Sequence, residues 1–204
     1  MKLFGYVQAG GGSTRFGRDK ALVEFQGKTM LARTSELLSS VCEEVKFVAT
    51  SGKYSQSPVG IVEDRWPGEG PLGGILSALL ETQRIANEPM WSLIVSCDMP
   101  FLSSEFLGLL KERAFSSGGR VVVPESENGL EPLCACWRSD TAAEIQSMFD
   151  GGLRKVSEAM KRLPMEVLDE EVWKRFDSDQ RLFWNMNTPA DFEEARRIFD
   201  ERAR

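Results

Sequence analysis

Three groups of residues in this chain have the chemistry to handle a phosphorylated ligand. They are a run of glycines followed by cations, an aspartate that closes an apolar run, and asparagines just ahead of a capped helix. The stretch VQAGGGSTRFGRDKAL, residues 7–22, places Gly10, Gly11 and Gly12 directly after an apolar run and then adds Arg15 and Lys20. Consecutive glycines let backbone approach a ligand closely, and successive N–H groups in such a turn can converge on phosphate oxygens. Arg15 offers a planar pair of donors, and Lys20 a compact charge on a flexible stem. Neither of two common phosphate-binding patterns fits. The dinucleotide pattern G-x-G-x-x-G, started at Gly10 and Gly12, meets Arg15 at its third glycine, which weakens a nicotinamide oxidoreductase. The P-loop spacing from Gly12 to Gly17 is followed by Arg18-Asp19 where Lys-Ser/Thr is required.

The apolar run WSLIVSC, 91–97, leads into Asp98-Met99-Pro100. A carboxylate at that end of a buried strand is a hard-oxygen ligand suited to Mg²⁺, which takes one or two carboxylates together with substrate phosphates and water. A turn or helix-capping aspartate is the alternative. Asp64 precedes a glycine–proline loop containing Gly70, Pro71 and Gly73. That loop could bring backbone groups against a flat ligand such as a base, with Asp64 accepting from a ribose hydroxyl or a base amine; a plain strand-to-helix turn is equally consistent. Asn185 and Asn187, ahead of Thr188-Pro189, could coordinate a metal or orient an acceptor, or could serve only as turn residues.

The elements that must position these residues follow from periodicity. Strands are expected at 3–7, 45–50, 91–97, 120–124 and 132–137, and helices at about 30–41, 73–86, from Ser103 as cap to about Phe115, from about Asp140, and after Thr188. Residues 51–60 read as a loop. Strands alternating with helices predict an α/β fold whose mainly parallel sheet is covered on both faces, with ligands gathering at the carboxyl ends of the strands. Those ends are Gln8, Thr50 and Cys97, joined by the segment around Asn185. The 204 residues are expected to form a single domain, 1–204.

A net charge of −6 and basic residues interspersed with acids give no reason to expect nucleic acid as a partner. No apolar run approaches a membrane span, and the apolar start is too short for a signal-peptide core. Four cysteines without zinc-type spacing, and no histidine, read as buried free thiols in a reducing cytoplasm. Cys134 and Cys136, two apart in a strand, face the same way.

Taken together, the motifs resemble a known family. AGGGSTRFGRDKAL is similar to LAGG-x-S-x-R-M-G-x-D-K, the signature of MobA-type molybdenum cofactor guanylyltransferases. GPLGGILSAL (70–79), SCDMPFL (96–102), EPLCACW (131–137) and NMNTPADF (185–192) resemble the family's later motifs, in the same order. The resemblance implies a three-layer, Rossmann-like nucleotide-diphospho-sugar transferase fold with a mostly parallel mixed sheet. It also implies transfer of GMP from Mg-GTP to the terminal phosphate of molybdopterin, with release of pyrophosphate. On that reading Gln8, Ala9 and Gly10 supply backbone contacts to nucleotide, Lys20 lies at the phosphates, Asp64 contacts nucleotide, and Asp98 holds Mg²⁺. Gly11, Gly12, Gly70, Pro71 and Gly73 complete the nucleotide side, Arg15 joins Lys20 in stabilising the triphosphate, and Asn185 and Asn187 face the acceptor. Gln8 stands where leucine is usual, Phe16 where methionine is, Thr50-Ser51 where an asparagine is, and Cys134 where histidine is common.

GTP and molybdopterin are therefore the expected partners. A labile product also favours transient contact with molybdopterin-loading proteins or molybdoenzyme apoproteins. The alternatives are a cytidylyltransferase acting on molybdopterin or on a sugar or polyol phosphate, and a non-catalytic GTP-binding sensor or adaptor.

Overall fold

The structure is a computed structural model that describes residues 1–9, 19–25, 27–177 and 180–202. Chain order runs β1 (Leu3–Gln8), β2 (Glu24–Phe25), β3 (Lys28–Thr29), α1 (Met30–Ser39), β4 (Glu44–Ala49), β5 (Gly60–Glu63), α2 (Pro71–Ile85) and β6 (Trp91–Ser96). It continues through α3 (Ser104–Ser116), β7 (Val121–Ser126), β8 (Gly129–Leu130), β9 (Cys134–Arg138), α4 (Ala142–Asp150), α5 (Val156–Met160), β10 (Met165–Leu168), α6 (Glu170–Trp173) and α7 (Pro189–Arg202).

The main sheet has the order β10-β7-β9-β6-β1-β4-β5, with β8 paired to β7 outside that path. Strands β1, β4, β5 and β6 run parallel, as do β7 and β10, while β9 is antiparallel to both of its neighbours. The sheet is thus the mostly parallel, mixed one expected. Because β1 and β6 are parallel neighbours with Gln8 opposite Ser96, their carboxyl ends open side by side.

Alternation along the strands divides the core between two faces. Leu3, Val7, Leu93 and Val95 pack on one face with Leu38 of α1 and Phe106 of α3. Tyr6, Ile94, Val121 and Ala135 pack on the other with α2, α4 and α5. Helix α2 buries Leu72, Ile75, Leu76 and Leu79 at helical spacing, each such side chain contributing roughly 1.5–3 kcal/mol. A buried chain of hydroxyls fixes α2 to the sheet: Tyr6 Oη is 2.7 Å from Thr82 Oγ1, which is 2.8 Å from Ser92 Oγ.

Local signals begin the helices as expected. The Ser103 hydroxyl accepts from Phe106 N, and Thr188 Oγ1 accepts from Asp191 N while Asp191 Oδ2 accepts from Asn187 N and Thr188 N. That reciprocal arrangement is a capping box with Pro189 in the first turn. The strand expected from Pro132 starts at Cys134, because Cys134 N closes a turn on Glu131 O at 3.0 Å. The helix expected from Asp140 opens with a 3₁₀ turn, Ser139–Thr141, and becomes α-helical at Ala142. Strand β5 starts at Gly60, the last residue of the expected loop.

A third cluster has no counterpart in the sequence reading. The hairpin β2–β3 and helix α7 share a small core of Val23, Phe25, Met30, Met186 and Ala195. The Phe25 and Phe199 rings meet edge to face at 4.8 Å. The hairpin follows Lys20 and the helix follows Asn187, so this packing draws those two residues together.

Candidate active site

At the adjoining ends of β1 and β6, the Lys20 ammonium donates to Asp98 Oδ2. Lys20 opens a 3₁₀ turn, Lys20–Leu22, whose cap is Asp19: Asp19 Oδ1 accepts from Ala21 N at 3.1 Å. Asp98 lies two residues beyond the end of β6 and is 7% exposed. Its other oxygen accepts from the Ser96 hydroxyl. Only Cys97, in the turn after β6, separates the two residues, so the Ser96 hydroxyl lies within reach. Asn187 Oδ1 accepts from Lys20 at 3.3 Å, and Met186 N donates to Asp98 O at 2.8 Å. The segment before α7 is thereby stitched to the turn after β6, though among the described residues it does not directly follow a strand. Asn185 instead donates to Phe183 O at 3.1 Å within its own turn.

Gln8 ends β1 with only 6% of its surface exposed. Its Nε2 donates to Pro71 O at 3.0 Å; a carbonyl can only accept, so this bond identifies the nitrogen, and buried Oε1 has no partner among the described residues. The start of α2 is shaped to fit this side chain. A Cβ on Gly74 would lie 2.3 Å from Gln8 Nε2. Gly70 caps α2 at φ +91° without a side-chain cap bond and directly precedes Pro71, the residue that Gln8 holds. Gly73 faces Trp66, whose Cβ would be 3.0 Å from an added Cβ, so packing accounts for that glycine. Asp64 N donates to Ala49 O at 2.8 Å, and Asp64 Oδ1 accepts from Trp66 N at 3.0 Å, which leaves Oδ2 as its oxygen outside the turn. Ala9 N donates to Val48 O at 3.0 Å. Arg15, Gly10, Gly11 and Gly12 lie outside the described residues.

Two site residues escaped the sequence reading. Ser96 carried a signal, its spacing from Asp98. Tyr54 carried none, lying in what reads as a polar loop. Its hydroxyl donates to Asp19 Oδ2 at 2.8 Å and lies 3.3 Å from Ala9 O. Tyr54 has φ +55°, a left-handed conformation that costs a non-glycine residue of order 1–3 kcal/mol. Burial, and then the Asp19 carboxylate, hold its phenol far above the usual range, so it remains a donor.

No nucleophilic thiol is on offer. Burial, followed by the neighbouring Asp98 charge, pushes the Cys97 thiol up to about 12. Cys134 is fully buried in β9 with Cys136, and all four cysteines are free. Among the described residues, no three His, Cys, Asp or Glu side chains gather to hold a metal by themselves. No described helix is long and apolar enough to cross a membrane.

The family model of the MobA-like NTP transferase domain matches residues 5–164. A protein of Chloroflexus aggregans named probable molybdenum cofactor guanylyltransferase is 32% identical, across 94% of this chain and 92% of its own length. The molybdenum cofactor guanylyltransferase of Syntrophotalea carbinolica is 28% identical, across 94% and 89%. The crystal structure of molybdopterin-guanine dinucleotide biosynthesis protein A from Archaeoglobus fulgidus superposes with a TM-score of 0.82 at 26% identity, covering 97% of this chain and 99% of that one. With Lys20 and Asp98 brought to one sheet end in a nucleotide-diphospho-sugar transferase fold, the chain belongs to the MobA-like NTP transferase family.

Proposed function

We propose that this chain is a molybdenum cofactor guanylyltransferase. It moves GMP from GTP to the terminal phosphate of molybdopterin and releases pyrophosphate. The observation that carries the reading is the meeting of Lys20 and Asp98 at adjoining strand ends, in a chain whose relatives bear that name.

The chemistry asks little of the protein in proton transfer. A phosphate monoester has a second pKa of about 6 and is largely a dianion at neutral pH, so the acceptor oxygen attacks the α-phosphorus without a base. The new O–P bond forms as the bond from the α-phosphorus to the bridging oxygen breaks, and pyrophosphate leaves with the electron pair. A site without histidine is suited to this, because catalysis reduces to positioning and charge stabilisation. Lys20, with Arg15 and the glycine segment, holds the triphosphate and stabilises the charge growing on its departing half. Gln8, Ala9, Asp64 and the Gly70–Pro71 turn form the nucleotide wall, and Asn187 borders the acceptor side.

Asp98 is the residue that would hold Mg²⁺. A lone buried carboxylate fits an ion that completes its shell with substrate phosphates and water, and Asp98 already receives one cation, the Lys20 ammonium. When bound, Mg²⁺ neutralises charge between the two phosphate groups. Direct handover of the product to a molybdopterin-loading protein or an apoenzyme would follow.

The test is pyrophosphate release with Mg²⁺ and molybdopterin, offering GTP, CTP, ATP and UTP in parallel. Release confined to GTP is expected. Release with CTP instead would make the chain a cytidylyltransferase. GTP binding with no release from any nucleotide would make it a sensor.

A further inference from the structure

Ala9 and Asp19 flank residues 10–18 in the chain, and one side chain reaches both of them. Tyr54 Oη lies 2.8 Å from Asp19 Oδ2 and 3.3 Å from Ala9 O. A phenol has one proton, and the shorter contact to a charged acceptor makes Asp19 its main partner. The ring stands edge-on to Phe47, centroids 6.4 Å apart at 82°. Packing and the hydroxyl bond together hold Tyr54 in its left-handed backbone conformation. Asp19 passes the constraint on. While Oδ2 takes Tyr54, and Lys53 at 3.4 Å, Oδ1 caps the turn that begins with Lys20.

We propose that Tyr54 is a positioning residue for nucleotidyl transfer: acting through Asp19, its hydroxyl sets the direction from which the Lys20 ammonium meets the triphosphate. This rests on the function proposed above. Removing the hydroxyl leaves the ring in place and leaves Asp19 its cap bond, but frees Oδ2 to follow the exposed Lys53. The turn carrying Lys20 is then less well aimed. Because charge grows on the leaving pyrophosphate during the reaction, a misdirected donor there lowers turnover more than nucleotide affinity.

The test is a double-mutant cycle between Tyr54→Phe and Lys20→Ala, read by kcat with molybdopterin and by calorimetric GTP affinity without it. With Lys20 present, Tyr54→Phe is expected to lower kcat about 10-fold and GTP affinity about 3-fold. In the Lys20→Ala background it should change neither by more than about 2-fold. A merely structural tyrosine would give losses that multiply with those of Lys20→Ala, and that result would overturn the proposal. So would a Tyr54→Phe protein equal to the wild type in both readouts. Should Tyr54→Phe fold poorly, Asp19→Asn reads the same coupling: it keeps an acceptor for Ala21 N and replaces the oxygen that Tyr54 uses. Its expected loss matches that of Tyr54→Phe, and full activity would overturn the proposal. A wild type that binds GTP with this coupling but releases no pyrophosphate would overturn the function alone. A wild type that turns over but is indifferent to Tyr54→Phe and Asp19→Asn would overturn the positioning role alone.

Discussion

Lys20 and Asp98, 78 residues apart in the chain, form an ion pair in which each partner has a further polar contact: Ser96 donates to the second Asp98 oxygen, and Asn187 accepts from Lys20. The lysine therefore rests on the carboxylate that the proposed reaction assigns to a divalent cation. On that proposal, the ammonium would leave the carboxylate for the phosphates once nucleotide binds.

Loss of Asp98 should be the more damaging change. Asp98→Ala is expected to abolish nearly all pyrophosphate release. Lys20→Ala should cost roughly 10²–10³ in kcat, the scale of losing one donor to developing charge. Steady-state kinetics on variants with native circular dichroism make the comparison; a folded Asp98→Ala enzyme with near-normal turnover would sink the metal assignment.

Competition between ammonium and metal has a readout independent of activity. Mn²⁺, followed by its EPR signal, should bind the protein weakly alone and at least 10-fold more tightly once GTP supplies phosphate ligands. Lys20→Ala should strengthen binding of Mn²⁺ without nucleotide, because it uncovers Asp98 Oδ2. Equal Mn²⁺ affinity in both proteins would show that the two cations do not share the carboxylate.

Gln8 and Gly74 should be energetically coupled. Gly74→Ala would place Cβ 2.3 Å from Gln8 Nε2 and drive the amide off Pro71 O, a loss of about 1–2 kcal/mol of stability. Gln8→Ala makes room, so the double variant should be less destabilised than the two single losses combined. Urea denaturation of all four proteins checks this, and simple additivity would refute the contact.

Acid stability should depend on Glu81. This side chain is 14% exposed and accepts from Arg84 at 2.7 and 2.9 Å and from Lys46 at 2.8 Å. The Arg84 bonds first, and then Lys46, hold its carboxyl down at about 2 against an ordinary 4.5. A lowered folded-state value stabilises above the unfolded one, so the contribution is complete above about pH 5 and is lost as pH falls from about 4.5 towards 2. A tenfold change in proton affinity is worth about 1.4 kcal/mol. Arg84 is 65% exposed and screened by solvent, so Glu81→Gln should cost about 1–2 kcal/mol at pH 7. The difference from wild type should vanish near pH 2; a difference that persists unchanged at pH 2 would rule out the ionic origin.

The sequence by itself determined whatever depends on a few neighbouring residues. Periodicity marked the buried strands and long helices, Ser103 and the Thr188–Asp191 pair marked helix starts, and Asp98 was identifiable at a strand's carboxyl end because it follows a near-continuous apolar run. The short elements β2, β3, β5, β8 and β10 left no such mark: a strand of two to four residues, with Ile61 and Val167 exposed on the outer two, repeats its pattern too few times to be read. The tertiary structure decided which ends meet. Setting β1 beside β6 helps bring Lys20 to Asp98 across 78 residues, and packing Phe25 against Phe199 spans 174; such contacts arise from burying whole faces together. Tyr54 belongs to that second class: a tyrosine in a polar loop gains its role only where the fold carries its hydroxyl to Asp19.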